Sequence, residues 1–179
     1  MNQDNKTVHD DIVAFFVHDG NGATLYTHRP SKTSEESMQA RFEASGEKVT
    51  GAKALLVKLD IKDRTGVYAV IIMPGFNRLD SKALKAQLKA QVPGLRGFRF
   101  ASPEEMAHIA RGIQPGKMPP VGRPVFPDIQ YTFIDAALQT HEKVGFNAAD
   151  FERSIIMPSA ALIDLVPHDG VVDCSLLPA

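Results

Sequence analysis

Lys53-Ala-Leu-Leu-Val-Lys-Leu-Asp60 and Val67-Tyr-Ala-Val-Ile-Ile-Met73, joined through a turn at Asp63–Gly66, decide how this chain folds. Both stretches are rich in apolar and β-branched residues. The second is almost unbroken in apolar character, which a strand covered on both faces requires. The connection is too short for a helical crossover, so the pair predicts an antiparallel hairpin in the middle of a sheet. Beyond it, Asp80 or Ser81 opens a helix to about Val92. Leu84, Leu88 and Val92 recur on its core side, and Lys82, Lys85 and Lys89 form a basic stripe on another side. Pro93-Gly94 ends that helix and Phe98 to Ala101 reads as a short strand. Ser102-Pro103-Glu104-Glu105 starts another helix, with Ser102 as cap, Pro103 at the first helical position and Glu105 closing a capping box.

Gly112 terminates that helix. From there to Pro127 the chain carries prolines at 115, 119, 120, 124 and 127, which no helix or central strand tolerates, so this stretch is a long loop. Upstream of the hairpin, Thr7 to Val17 reads as a helix with Ile12, Phe15 and Phe16 on its apolar stripe. Asp19 to Gly22 reads as a turn and Ala23 to His28 as extended. Thr33 with Glu36 makes a capping box for a helix to about Ala44. Downstream, Ile129 to Ile134, Lys143 to Asn147 and Arg153 to Met157 read as strands and Ser159 to Val166 as a last helix. Strands adjoining strands predict an α+β fold with a mixed sheet. The expected organisation is a flexible stretch at 1–7, one domain over 8–166 and a tail at 167–179.

The chain has 179 residues, with 20 Lys plus Arg against 21 Asp plus Glu and 44 % apolar residues. That composition excludes a disordered chain and, with no apolar run near the ~20 residues of a membrane span, predicts a cytoplasmic protein with no membrane partner. The near-neutral total conceals an uneven distribution. Residues 61–123 carry 11 basic and 4 acidic side chains, a net +7, so the middle of the chain is suited to a local anion surface. One Cys excludes an internal disulfide. The six His have no metal-site spacing, Cys174 has no Cys partner, and no G-x-S-x-G elbow occurs, so neither a metal nor another cofactor is expected. Gly112-Ile-Gln-Pro-Gly116-Lys117-Met118 has one residue too few between its glycines for a nucleotide-binding P-loop, and Met118 stands where a Ser or Thr belongs.

Three segments in order carry more. They are Gly51-Ala-Lys53-Ala-Leu-Leu-Val-Lys58; Phe100-Ala-Ser-Pro-Glu-Glu105 continuing into Gly112-Ile-Gln-Pro-Gly116-Lys-Met-Pro-Pro120-Val-Gly122; and Val144-Gly-Phe-Asn147-Ala-Ala149 ahead of Arg153-Ser-Ile155. With Thr27-His-Arg-Pro30 and Thr33-Ser-Glu-Glu36 upstream, the set resembles the YbaK and prolyl-tRNA-synthetase-associated editing-domain family over about residues 8–166. The resemblance implies a single compact domain whose mixed, mostly antiparallel, barrel-like sheet is wrapped by helices. It implies an enzyme, a deacylase that clears a wrong, small amino acid from tRNA in trans. On that match Lys53 is the functional lysine, and Gly116 to Pro120 is the glycine-x-x-x-proline loop lining the pocket. Asn147, Ala148 and Ala149 face that loop. Ala149 stands where many relatives have Gly, and Phe151 where some have His.

The ester to be cleaved is already activated, so a site that positions water and stabilises an oxyanion is sufficient. Gly112 and Gly116 can bring backbone N–H groups close to it; with the functional lysine that the resemblance implies, Lys53 and Gly116 are the expected catalytic residues. Gly112, Pro120, Asn147, Ala148 and Ala149 are expected to bind substrate. Lys53 suits the phosphate or ribose of the tRNA end. Lys82, Lys85, Lys89, Arg96, Arg99, Lys117 and Arg123 are the expected tRNA-backbone surface. The expected partners are the aminoacylated tRNA 3′ end and a cognate aminoacyl-tRNA synthetase, and the protein itself is expected as a monomer or homodimer. The rival readings are a non-catalytic tRNA- or synthetase-binding member of the same fold and a small-molecule hydrolase reusing the pocket.

Overall fold

The hairpin lies at the centre of the molecule, in a computed structural model that describes residues 3–179. In chain order the elements are α1 (Gln3–Phe16), β1 (Thr24–Thr27), α2 (Ser34–Ser45), β2 (Thr50–Ile61), β3 (Arg64–Pro74), β4 (Arg78–Leu79), α3 (Ser81–Gln91), β5 (Leu95–Phe100), α4 (Pro103–Ile109), β6 (Tyr131–Asp135), a 3-10 turn (Ala136–Thr140), β7 (Lys143–Asn147), β8 (Arg153–Pro158), α5 (Ser159–Leu165), β9 (Gly170–Val172) and β10 (Ser175–Leu176). β2 and β3 pair antiparallel, and Asp63 takes a left-handed φ of 59° in the turn, which Asp tolerates better than most residues. β3 is buried on both faces as its sequence requires. Tyr68, Val70 and Ile72 point into one cluster, and Val67, Ala69 and Ile71 into another. The first cluster is closed by α1, α4, α5 and the proline-rich loop, and the second by Leu84, Leu88 and Val92 of α3 and its cap.

The main sheet runs β1-β8-β7-β2-β3-β6-β9, with β5 added on β2. The β7–β2, β3–β6 and β6–β9 pairs are parallel and the others antiparallel, so the sheet is mixed, as expected. Its pairing path ends at β1 and β9, and it branches on β2. β7 pairs only with Thr50 and Gly51, and β5 takes over the same edge from Val57. Between them, residues 52–55 pair with β3 on one side but have no strand on the β7/β5 side, and the sheet forks there.

At both chain ends the elements run past the boundaries read from the sequence. α1 begins at Gln3, ahead of the expected start at Thr7; Met1 and Asn2 lie outside the described residues. Val8, Ile12 and Phe16 are buried, and the Phe16 ring lies 4.6 Å from that of Phe146. Burial of this size contributes about 1.5–3 kcal/mol per large side chain. The segment 167–179 is no loose tail, because β9 joins the main sheet through β6 and β10 pairs with β4. Both strands were too short to show periodicity. The loop from Gly112 to Pro127 is irregular as its prolines demand, but Ile113, Met118, Val121, Val125 and Phe126 anchor it in the core.

Both expected capping boxes form, Thr33 with Glu36 and Ser102 with Glu105. Glu105 also accepts from both terminal nitrogens of Arg99 at 2.7 Å, from Lys58 Nζ at 3.1 Å and from the Tyr68 hydroxyl at 3.2 Å. Arg99 and these other donors hold its carboxyl well below the usual range. A depressed folded-state pKa contributes stability above the unfolded carboxylate value, and that stability is lost as pH falls through the folded one. Replacing Glu105 with Gln is therefore expected to flatten the loss of stability between about pH 5 and pH 2, read as the urea midpoint across that range.

Candidate functional site

The fork in β2 opens a cavity of about 250 Å³ whose lining includes Gly51 to Leu55, Gly75, Phe76, Gly116, Met118, Gly145, Asn147 and the α2 side chains Ser37 and Arg41. Lys53 and Gly116, distant in sequence, face the same space. Lys53 is half-buried and its ammonium donates to the Asn77 carbonyl at 2.5 Å. Burial lowers its pKa from the ordinary lysine value, and among the described residues no carboxylate pairs with it to favour the charge.

Asn77 is itself held from the C-terminal segment. Its Nδ2 donates to Ser175 Oγ at 3.0 Å, and Ser175 Oγ donates to Asp135 Oδ1 at 3.2 Å. Asp135 is fully buried and also accepts from the Ala137 and Cys174 N–H groups and from Cys174 Sγ. Burial and this carboxylate push the Cys174 thiol far up, so it is an inert buried thiol.

Opposite Lys53, Gly116 has a φ of 86°, which glycine adopts without strain, and its N–H makes no hydrogen bond among the described residues. Its carbonyl accepts from Asn147 Nδ2 at 3.0 Å. The Phe151 ring lies against Gly116, and the Lys117 ammonium sits 4.5 Å above the same ring. The aromatic ring at 151 thus fastens the rim instead of presenting a polar group to it. Replacing Asn147 with Ala should free that rim and lower the thermal midpoint by about 2–4 °C, the worth of roughly one net hydrogen bond in a chain of this size, read by a thermal melt.

Arg41 was not foreseen. It projects from the buried face of α2, is only 4 % exposed and has no carboxylate partner among the described residues. Its Nε donates to Ser154 Oγ and one terminal nitrogen to Asn147 Oδ1, each at 3.1 Å. His28 Nδ1 donates to the Arg29 carbonyl, so Nε2 accepts from the Ser154 hydroxyl at 2.8 Å and leaves that oxygen for Arg41. Ser154 is fully buried and does not line the cavity, so this Ser–His pair positions Arg41 rather than attacking substrate. Burial pushes the Arg41 pKa down to about 10. The signal for it lay in two strand glycines: a Cβ on Gly145 would meet Arg41 Cδ at 2.8 Å, and one on Gly51 would meet its other terminal nitrogen at 3.6 Å.

Other expected site residues stand elsewhere. Gly112 ends the α4 turn, and Pro120 and Ala148 are buried behind the rim, so none of these lines the cavity. Ala148 instead accepts at its carbonyl from His9 Nδ1. Ala149 has a φ of 60°, a conformation that favours glycine, and lines a separate concavity with Lys117. Lys82, Lys85 and Lys89 are exposed on one face of α3. Lys85 and Arg96 border a basic groove with Lys58, Arg64 and Arg99, although Glu105 engages Lys58 and Arg99. Lys117 and Arg123 are not part of that groove, since the loop carrying them packs on the other face of the sheet.

Residues 28–165 match the model of the aminoacyl-tRNA editing domain. The chain belongs to that family. As an editing domain it acts on tRNA, and its fold is shared by solved structures. One, described as "a putative trans-editing enzyme for prolyl tRNA synthetase", is 20 % identical with a TM-score of 0.70, over 98 % of this chain and 99 % of that one. Another, the hypothetical protein APE2540, is 21 % identical with a TM-score of 0.68, over 94 % and 99 %. No protein of curated function shows significant sequence similarity. No helix among the described residues of the editing domain is long and apolar enough to cross a membrane.

Proposed function

We propose that this editing domain is a deacylase acting in trans on tRNA mischarged with a small amino acid. The observation that carries the reading is the shared cavity of Lys53, Gly116 and Asn147. The Lys53 ammonium binds the phosphate or ribose of the terminal nucleotide, and partial burial strengthens that attraction. The Gly116 N–H, directed by the Asn147 clamp on its own carbonyl, donates to the oxyanion that forms as water attacks the ester carbonyl. Among the described residues no carboxylate or imidazole lines the cavity as a general base, so the vicinal ribose hydroxyl of the substrate assists the attacking water.

A panel of tRNAs charged with alanine, serine, cysteine or proline tests this. Multiple turnover of one ester is the expected result. Tight binding of all without turnover would make the protein a non-catalytic tRNA binder, and neither would leave the cavity to a small molecule.

The α3 stripe and the adjoining groove are suited to the tRNA backbone. Lys82, Lys85 and Lys89 are exposed and enter no ion pair among the described residues. Reversing all three to Glu is expected to weaken tRNA binding. It should also reduce the slope of log affinity against log salt by about 0.9 for each phosphate neighbour lost, measured by filter binding across a salt series.

A further inference from the structure

Among the described residues the cavity carries three cations, Lys32, Arg41 and Lys53, and no carboxylate lines it. Lys32 is exposed at the mouth and Lys53 is half-buried, but Arg41 is buried almost completely. A guanidinium taken out of water without a counter-charge is costly unless each of its N–H groups has an acceptor. Nε and one terminal nitrogen have theirs in Ser154 and Asn147, while the other terminal nitrogen, beside Gly51, has none among the described residues. The buried edge of Arg41 therefore offers strong, fixed donors to whatever enters.

Which part of the ligand reaches them follows from connectivity. The phosphates of a tRNA lead outward to the rest of the molecule, so they stay toward the mouth. The terminal adenine and the aminoacyl group are the two ends that can penetrate to a buried side chain, and of these only the aminoacyl side chain can bring a carboxylate or hydroxyl oxygen to the guanidinium. We propose that Arg41 forms an oxygen-acceptor subsite of this cavity, and that the amino acid removed carries a carboxylate or hydroxyl on its side chain rather than an alkyl group. This rests on the deacylase reading above and names its substrate class. An alkyl end would leave the guanidinium edge dry and unpaired. A hydroxyl would accept one hydrogen bond, and a carboxylate would accept two and also neutralise the charge.

The test uses one tRNA charged in turn with alanine, serine and aspartate, and adenosine analogues in which the same amino acids are joined by a stable amide. Wild-type protein is expected to bind the analogues and hydrolyse the esters in the order aspartyl, seryl, alanyl, with about 10–100-fold between the ends of the series. Arg41→Lys keeps a charge but cannot span Ser154 and Asn147, and is expected to compress that ratio toward one. Equal treatment of the three amino acids by the wild type, or a preference for alanyl, overturns the proposal. So does an Arg41→Lys loss that is uniform across the series and extends equally to uncharged tRNA, which would assign Arg41 to phosphate. If the variant does not fold, the wild-type analogue series decides. A wild-type protein that ranks the analogues as expected but hydrolyses no ester would sustain the subsite and remove the deacylase.

Discussion

Lys53→Ala is expected to slow deacylation by about 10²–10³-fold, the loss typical when one charged or hydrogen-bonding group is removed from a preorganised site. Thermal stability should hold, because Lys53 makes no ion pair among the described residues and its side chain is only half-buried. Burial lowers the Lys53 pKa, so the charged amine is disfavoured in the folded chain relative to the unfolded one. That cost applies below the folded pKa and vanishes once pH exceeds the unfolded value. At neutral pH Lys53→Met, which keeps the stem and deletes the charge, should therefore be neutral to stabilising while as inactive as Lys53→Ala. Arginine should not rescue, since its planar fork cannot occupy the place where the amine meets the Asn77 carbonyl. Retained single-turnover rates in the folded Ala or Met variant would remove Lys53 from the chemistry.

Asp135→Ala is expected to destabilise the fold by about 3–5 kcal/mol, from a buried carboxylate whose four donors would all lose their acceptor. Two of those donors are backbone N–H groups, which cannot turn to solvent without unwinding the segment that carries them. Ser175 would lose its anchor, then Asn77 its side-chain partner, and the carbonyl that holds the Lys53 amine would be less constrained. A fall in kcat/KM is therefore expected even at temperatures where the variant is folded. Asp135→Asn preserves one acceptor oxygen and should cost less on both measures. Urea unfolding at neutral pH, followed by deacylation well below the transition, separates the two effects. A variant as stable as wild type would show that the clamp has no net energetic role.

The hairpin, α3, both capping boxes and the proline-rich loop were legible because each follows from local chemistry: period, cap or excluded φ. Lys53, Gly116 and Asn147 were legible through ordered resemblance alone, as nothing in their spacing says that they share a cavity. Arg41 was missed because α2 is polar nearly all round, so the buried face of that helix has no apolar signature. Its burial depends on Gly51 and Gly145, residues brought together only by a parallel pairing of strands far apart in sequence. The two C-terminal strands were missed for a related reason. Val171 and Val172 are too brief a run to display alternation, and their place is set by β6.

The forked strand has a practical corollary for anyone trimming the protein. The matched segment, 28–165, excludes α1 and everything from β9 onward. A shortened fragment with those boundaries would keep every wall of the cavity yet uncover Phe146, where Phe16 now lies, and strip Asp135 of three of its donors. Domain excision guided by sequence similarity would thus yield a soluble-expression problem that looks like a catalytic defect, and the remedy is to retain both ends.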